Sequence, residues 1–156
     1  MATVPLPEPD RGIISRREAI VEGLRRLVGP DSAIIADEDG RRAYETDALT
    51  AYRRVPLAVV LPRSTEDVSA VLKYLHAQRV PVTPRGAGTS LSGGAIPQED
   101  CVVVCVAKMN RVLDVNFANR TARRDRPASA PGTWPTRNSA SVSIRTILSR
   151  RLPRSA

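Results

Sequence analysis

The sequence predicts an α+β chain built on one βαβ crossover and a small mixed sheet, and three observations predict it. A capped amphipathic pattern follows Ser15, and a continuous apolar run, PLAVVLP, spans Pro56 to Pro62. A second capped pattern leads from Ser64 into a short apolar segment at Val80–Val82. An apolar run rich in β-branched residues reads as a strand buried on both faces, whereas a stripe at i, i+3, i+4 reads as a helix.

Taken in order, SRREAIVEGLRRLVGP opens with Ser15 and, three residues on, Glu18, a capping box for the first helix. Ile20, Val21, Leu24, Leu27 and Val28 form its apolar stripe, and Gly29 and Pro30 stop it. Ala33 to Ala36 is a short apolar run leading to a turn at DEDG, and YETDALTAYRRVP is polar and mixed, with Tyr44 and Tyr52 as part-buried anchors. After the PLAVVLP strand, Ser64 caps a helix with Asp67 three residues on, and Val68, Val71, Leu72 and Leu75 give its stripe. The chain turns back at Gln78 and Arg79 into a second strand at Val80–Val82. A strand, a helix and a strand so close in sequence make a crossover, so the two strands run parallel. His76, the only histidine, falls at the edge of the helical stripe, a position that suits a helix edge better than catalysis. CVVVCV reads as a further strand. Cys101 and Cys105 then share a face about 13 Å apart at roughly 3.3 Å per residue, beyond disulfide reach, and are expected as buried free thiols.

RGAGTSLSGGA, Arg85 to Ala95, begins just past the second strand, at the strand end where ligands gather in such units. Gly86, Gly88, Gly93 and Gly94 admit positive φ and let a ligand approach the backbone. Successive N–H groups in such a loop form a nest for anionic oxygens, with Thr89, Ser90 and Ser92 as neutral donors, so a phosphate or pyrophosphate is the natural guest. Arg85 could pair with it or make a structural salt bridge. A plain glycine-rich connection is the competing reading, and its weakness is the length of the stretch. The spacing is not that of a Rossmann fingerprint, because Leu91 stands where the third glycine belongs. Nor is it a P-loop, because no lysine lies between Lys73 and Lys108.

Composition bounds the class. The chain has 156 residues, 42% apolar but with only five aromatics, which fits one domain with an aliphatic core. No apolar run reaches the roughly 18–20 residues of a membrane span, and MATVPLPEPD lacks the pattern of a secretory signal. A cytoplasmic protein is expected. The net charge of +8 is almost all in the last 36 residues, which hold eight arginines against one acid, Asp125. The body is nearly neutral, so no nucleic-acid partner is expected. Binding through the basic tail is the alternative, although the tail lacks interleaved aromatics. The tail is rich in Arg, Ser and Pro, and its one apolar cluster, Val142 to Leu152, is too small to offset the ordering of the segment, so disorder is expected there.

From about Tyr44 to Ala122 the residues resemble a known family. VVLPRSTEDVSAVLKYLHAQRVPVTPRGAGTSLSGGAIP followed by VVVCVAKMNRVLDVNFANRTA is similar to the start of the PCMH-type FAD-binding domain of FAD-linked oxidases, near the flavoprotein subunit of bacterial glycolate oxidases and the cytochrome-type D-lactate dehydrogenases. The resemblance implies that Arg85, Gly86, Ala87, Gly88, Thr89 and Ser90 wrap the FAD pyrophosphate, with Ser92 and Gly93 continuing toward the flavin. It implies oxidation of a 2-hydroxy acid to a 2-oxo acid by hydride transfer to flavin N5, with electrons leaving for a quinone or cytochrome chain. Covalent members carry a flavin-linked histidine where this chain has Thr89, so FAD is expected to be non-covalent. Other subunits of a glycolate-oxidase-like complex are expected partners.

The departure from the family falls at the composition break. Members continue past the NRTA segment with a strand, a Pro-Gly turn, a helix and a second FAD-closing cluster, whereas this chain reads RRDRPASAPGTW. The expected organisation is a lead-in with its helix at 1–43, the N-terminal half of the FAD-binding domain at 44–122, and a frameshifted or disordered tail at 123–156. The family's substrate-binding residues lie in a cap domain that nothing here matches, so no catalytic residue is assigned. Such a half-domain is expected to be inactive alone, or to act as a binding module completed by a partner chain.

Overall fold

The computed structural model describes residues 7–124. The tail expected to be frameshifted or disordered therefore lies outside the described residues from 125 onward. Two helices, α1 (Arg11–Ser15) and α2 (Arg17–Leu27), lead to strand β1 (Ala33–Ile35) and a short helix α3 (Glu38–Arg42). Then come β2 (Ala58–Leu61), α4 (Thr65–Ala77), β3 (Val82–Arg85) and β4 (Val102–Cys105), with a hairpin of β5 (Val112–Asn116) and β6 (Thr121–Arg124) last. The main sheet has the order β1-β2-β4-β3. β2 and β3 both run parallel to β4, and β1 is antiparallel to β2. The sheet is mixed and the βαβ crossover forms as expected, with β4 inserted between its two strands.

The continuous apolar runs follow from burial on both faces. Every residue of β2 and β4 is buried. Ala58, Val60, Val102 and Val104 face Ile20, Leu24, Val71 and Leu75 of α2 and α4, while Val59, Leu61, Val103 and Cys105 face Ile35 and Tyr44. Fully buried side chains such as Leu24 and Leu75 contribute about 1.5–3 kcal/mol each. The lead-in helix thus shares one core with the strands. β3 is an edge strand, which is why Pro84 is tolerated within it.

Several local expectations are corrected. The capping box at Ser15 does not form. Asp10 caps α1, accepting from Gly12 N at 2.7 Å, while Ser15 Oγ donates to Gly12 O, and α2 starts from Arg16 without a side-chain cap. DEDG is the capped start of α3, because the Asp37 carboxylate accepts from Gly40 N at 2.7 Å. In α4 the buried face is Val71 and Leu75 with Tyr74 beside them, and Leu72 is 42% exposed, because the single contact face with α2 is narrower than the apolar stripe. The second strand starts at Val82 and ends at Arg85. Val80 N donates to Leu75 O and Arg79 has φ 56°, so Val80 still belongs to the helix-closing turn. β6 pairs with β5 from Thr121 to Arg124.

Ser64 caps α4 as expected, its Oγ accepting from Asp67 N at 3.0 Å. The Asp67 carboxylate in turn accepts from Ser32 Oγ at 2.7 Å and Gly29 N at 3.2 Å, tying α4 to the turn after α2. The Ser32 hydrogen bond leads in holding this carboxyl below the usual range. The unfolded chain therefore takes up the proton first as pH falls. The contribution is complete above the unfolded value of about 3.9 and is lost as pH drops through the lower native one. Asp67→Asn is expected to lower the melting temperature at neutral pH, with the gap to the unchanged chain narrowing as pH falls below the unfolded value of about 3.9 in a pH series of thermal melts.

Candidate functional site: the glycine-rich crossover

The stretch after β3 leaves the carboxyl end of that strand and returns to the amino end of β4, so it is itself a crossover. β4 and the residue just before it hold both of its ends. Cys105 Sγ donates to Gly86 O at 3.4 Å, and Cys101 Sγ lies 3.2 Å from Thr83 Oγ1 and accepts from Gln98 N at 3.2 Å. Both thiols are free and buried, as expected, and burial pushes the Cys101 thiol up. Running the height of the sheet accounts for the length of the stretch. Length alone does not therefore mark a binding site, but the conformation does.

Gly88 and Gly93 have φ of 74° and 76°. A Cβ at Gly88 would take the place of the Arg85 guanidinium and sit on a strained positive φ, whereas at Gly94 it would meet nothing within 4 Å, so of these two it is Gly88 whose conformation favours glycine. Ala87, Gly88, Thr89 and Leu91 form no hydrogen bond with another described residue, which leaves a run of backbone N–H groups unpaired; Ser92 N alone turns inward, to Ser90 Oγ at 3.2 Å. Thr89 and Ser92 are exposed and Ser90 is half-buried. Unpaired amides around a positive-φ glycine suit anionic oxygens and fit the pyrophosphate of a dinucleotide.

Arg85 is placed under the stretch. Its Nη1 donates to Thr46 O at 2.6 Å and to Ala95 O at 3.4 Å, and its guanidinium carbon lies 5.5 Å from the centroid of the Tyr44 ring. The structural salt bridge held open for it is not formed among the described residues; carbonyls and a ring take that place. Arg85 thus clips the start of the stretch to its end and to the segment before β2, and among the described residues no carboxylate in ion-pair range offsets its charge. Desolvation pushes the Tyr44 phenol up. Sequence reasoning missed Thr46, Asp47 and Leu49 as the floor of this arrangement. The available signal was the Asx turn, in which Asp47 Oδ1 accepts from Leu49 N at 2.8 Å. His76 is exposed on the last turn of α4, near the amino end of β3 and away from Gly86. Among the described residues no group of three His, Cys, Asp or Glu could hold a metal ion, and no helix is long and apolar enough to cross a membrane.

Residues 56–125 match the FAD binding domain family. Over 118 residues the chain is 43% identical to the glycolate oxidase subunit GlcD of Escherichia coli K12, covering 76% of this chain and 22% of that protein. It is 41% identical over 90 residues to a D-lactate dehydrogenase of Archaeoglobus fulgidus, covering 57% of this chain and 20% of that one. Among solved structures, p-cresol methylhydroxylase with substrate bound superposes with a TM-score of 0.55 at 20% identity, over 69% of this chain and 21% of that chain. That likeness shows the fold, the PCMH type expected from the sequence. The chain spans about a fifth of the length of these relatives. The glycine-rich crossover lies inside the matched segment, whereas Thr46, Asp47 and Leu49 lie before it.

Proposed function

We propose that this chain holds the pyrophosphate of non-covalently bound FAD with Arg85, Gly86, Ala87, Gly88, Thr89, Ser90, Ser92 and Gly93, as one wall of a flavoprotein that oxidises a 2-hydroxy acid such as glycolate or D-lactate. The observation that carries the reading is the run of unpaired amides around positive-φ Gly88, clipped from beneath by Arg85. When bound, FAD supplies the hydride-accepting chemistry for turning a 2-hydroxy acid into a 2-oxo acid. The protein's part at this wall is to fix the diphosphate: the amides and hydroxyls donate to its oxygens, and the Arg85 charge beneath them favours an anion. Thr89 offers no histidine for a covalent link.

No group among these residues is assigned to move a proton of the substrate. The chain alone is therefore expected to bind FAD weakly and turn over neither acid, with activity requiring the rest of the fold. A partner chain carrying that remainder is favoured by one observation: Val112, Leu113 and Phe117 of the hairpin are 48%, 47% and 62% exposed. Subunits of a glycolate-oxidase-like complex are the corresponding partners, in the cytoplasm.

The test is titration of FAD with the purified chain, followed by flavin fluorescence. Saturable quenching is expected, and acid precipitation of the complex should leave all the flavin in the supernatant. Absence of saturable binding would end the reading; yellow colour remaining in the pellet would end its non-covalent part.

A further inference from the structure

Asp47 lies on the floor of the glycine-rich stretch and is only 5% exposed. Its Oδ1 is taken by Leu49 N, but its Oδ2 is the one fully buried side-chain nitrogen or oxygen among the described residues with no hydrogen-bond partner. The turn that carries it touches both ends of the stretch. Thr46 O accepts from Arg85, and Leu49 Cδ2 is 3.5 Å from where a Cβ of Gly93 would stand. Between those two contacts lie the unpaired amides of Ala87, Gly88, Thr89 and Leu91. A buried carboxylate oxygen without a partner, costly to leave so, therefore sits on the turn that touches both ends of a stretch whose own amides have no protein partner.

We propose that Asp47 is a positioning residue for the dinucleotide cradle: its Oδ2 is the acceptor to which one amide of the 87–91 stretch turns when FAD is seated, leaving the neighbouring amides aimed at the pyrophosphate. This deepens the FAD reading and rests on it. The orphaned oxygen destabilises the chain without cofactor and is matched only in the loaded state, an arrangement expected where a residue serves a site more than the fold. Closure onto Asp47 and capture of the anion then occur together, so the carboxylate sets affinity without touching the ligand.

The experiment compares the unchanged chain with Asp47→Asn, which keeps the acceptor for Leu49 N and replaces the orphaned oxygen with an amide. FAD affinity by fluorescence quenching, melting temperature without FAD, and hydrogen exchange of residues 86–93 with and without FAD are all read. The variant is expected to bind FAD about tenfold more weakly, as for loss of a hydrogen bond to a charged acceptor, while melting no lower than the unchanged chain. FAD should slow exchange across 86–93 in the unchanged chain and not in the variant. A melting temperature that falls together with affinity would make Asp47 merely structural and overturn the inference. FAD affinity that is unchanged or raised, with protection of 86–93 retained, would also overturn it. Failure of the unchanged chain to bind FAD would overturn the FAD reading itself, and this inference with it.

Discussion

A Gly88→Val chain is expected to lose FAD affinity by two orders of magnitude or more while keeping its sheet. Two costs act together. At φ 74° a side chain with a branched Cβ is strained by roughly 1–3 kcal/mol. The added Cβ also occupies the space of the Arg85 guanidinium, which must leave Thr46 O and Ala95 O, and hydrogen bonds from a charged group are worth about 1.5–3 kcal/mol. At about 1.4 kcal/mol per tenfold, the sum spans roughly two to four orders of magnitude. Gly93 gives an internal comparison. It has φ 76°, but a Cβ there meets Leu49 and Ile96 at an ordinary 3.5 Å, so Gly93→Ala carries the backbone cost alone, about tenfold. Gly94→Ala meets nothing and should bind FAD as the unchanged chain does. Fluorescence titrations that rank the three variants in any other order would show that the Arg85 clip does not shape the site.

The difference between what the sequence revealed and what it hid has a physical cause in each case. β2, α4 and β4 were legible because burial on two faces, or on one stripe, writes a period into the residues themselves. Ser64 was legible as a cap because it lies next to the helix it serves. Ser15 fitted the same pattern and misled, since Asp10 competes for the role and starts α1 one turn earlier. The glycine-rich stretch announced an anion by composition, but the orientation of Arg85 could not be read locally. Its partners are Thr46, 39 residues away, and Tyr44, which reach it only through the fold. Asp47 was overlooked for the same reason. An aspartate in a polar segment looks solvated until the tertiary structure buries it against the crossover.

Val103→Asp is expected to unfold the chain altogether, the largest effect on stability of any substitution considered. Val103 is fully buried at the centre of β4, paired with Val59 of β2 on one side and Thr83 of β3 on the other, and packed with Leu61 and Cys105. An aspartate there has no cation and no vacant donor within the sheet, since its neighbours' amides are committed to the ladders. Burying such a charge without a partner costs several kcal/mol, against the 5–15 kcal/mol that holds a typical domain together. Asp at Val112 is the matched control, because that side chain is 48% exposed on the hairpin and should shift stability by no more than about 0.5 kcal/mol. Far-UV circular dichroism and thermal melts distinguish the outcomes: a cooperative Val103→Asp transition close to that of the unchanged chain would show that β4 does not organise the core. The contrast with Gly88→Val also separates fold from site. Cys105 of β4 and Cys101 just before it anchor the crossover at Gly86 and Gln98, so loss of β4 removes the cradle along with the sheet. Changing Gly88 removes the cradle and leaves β4 in place.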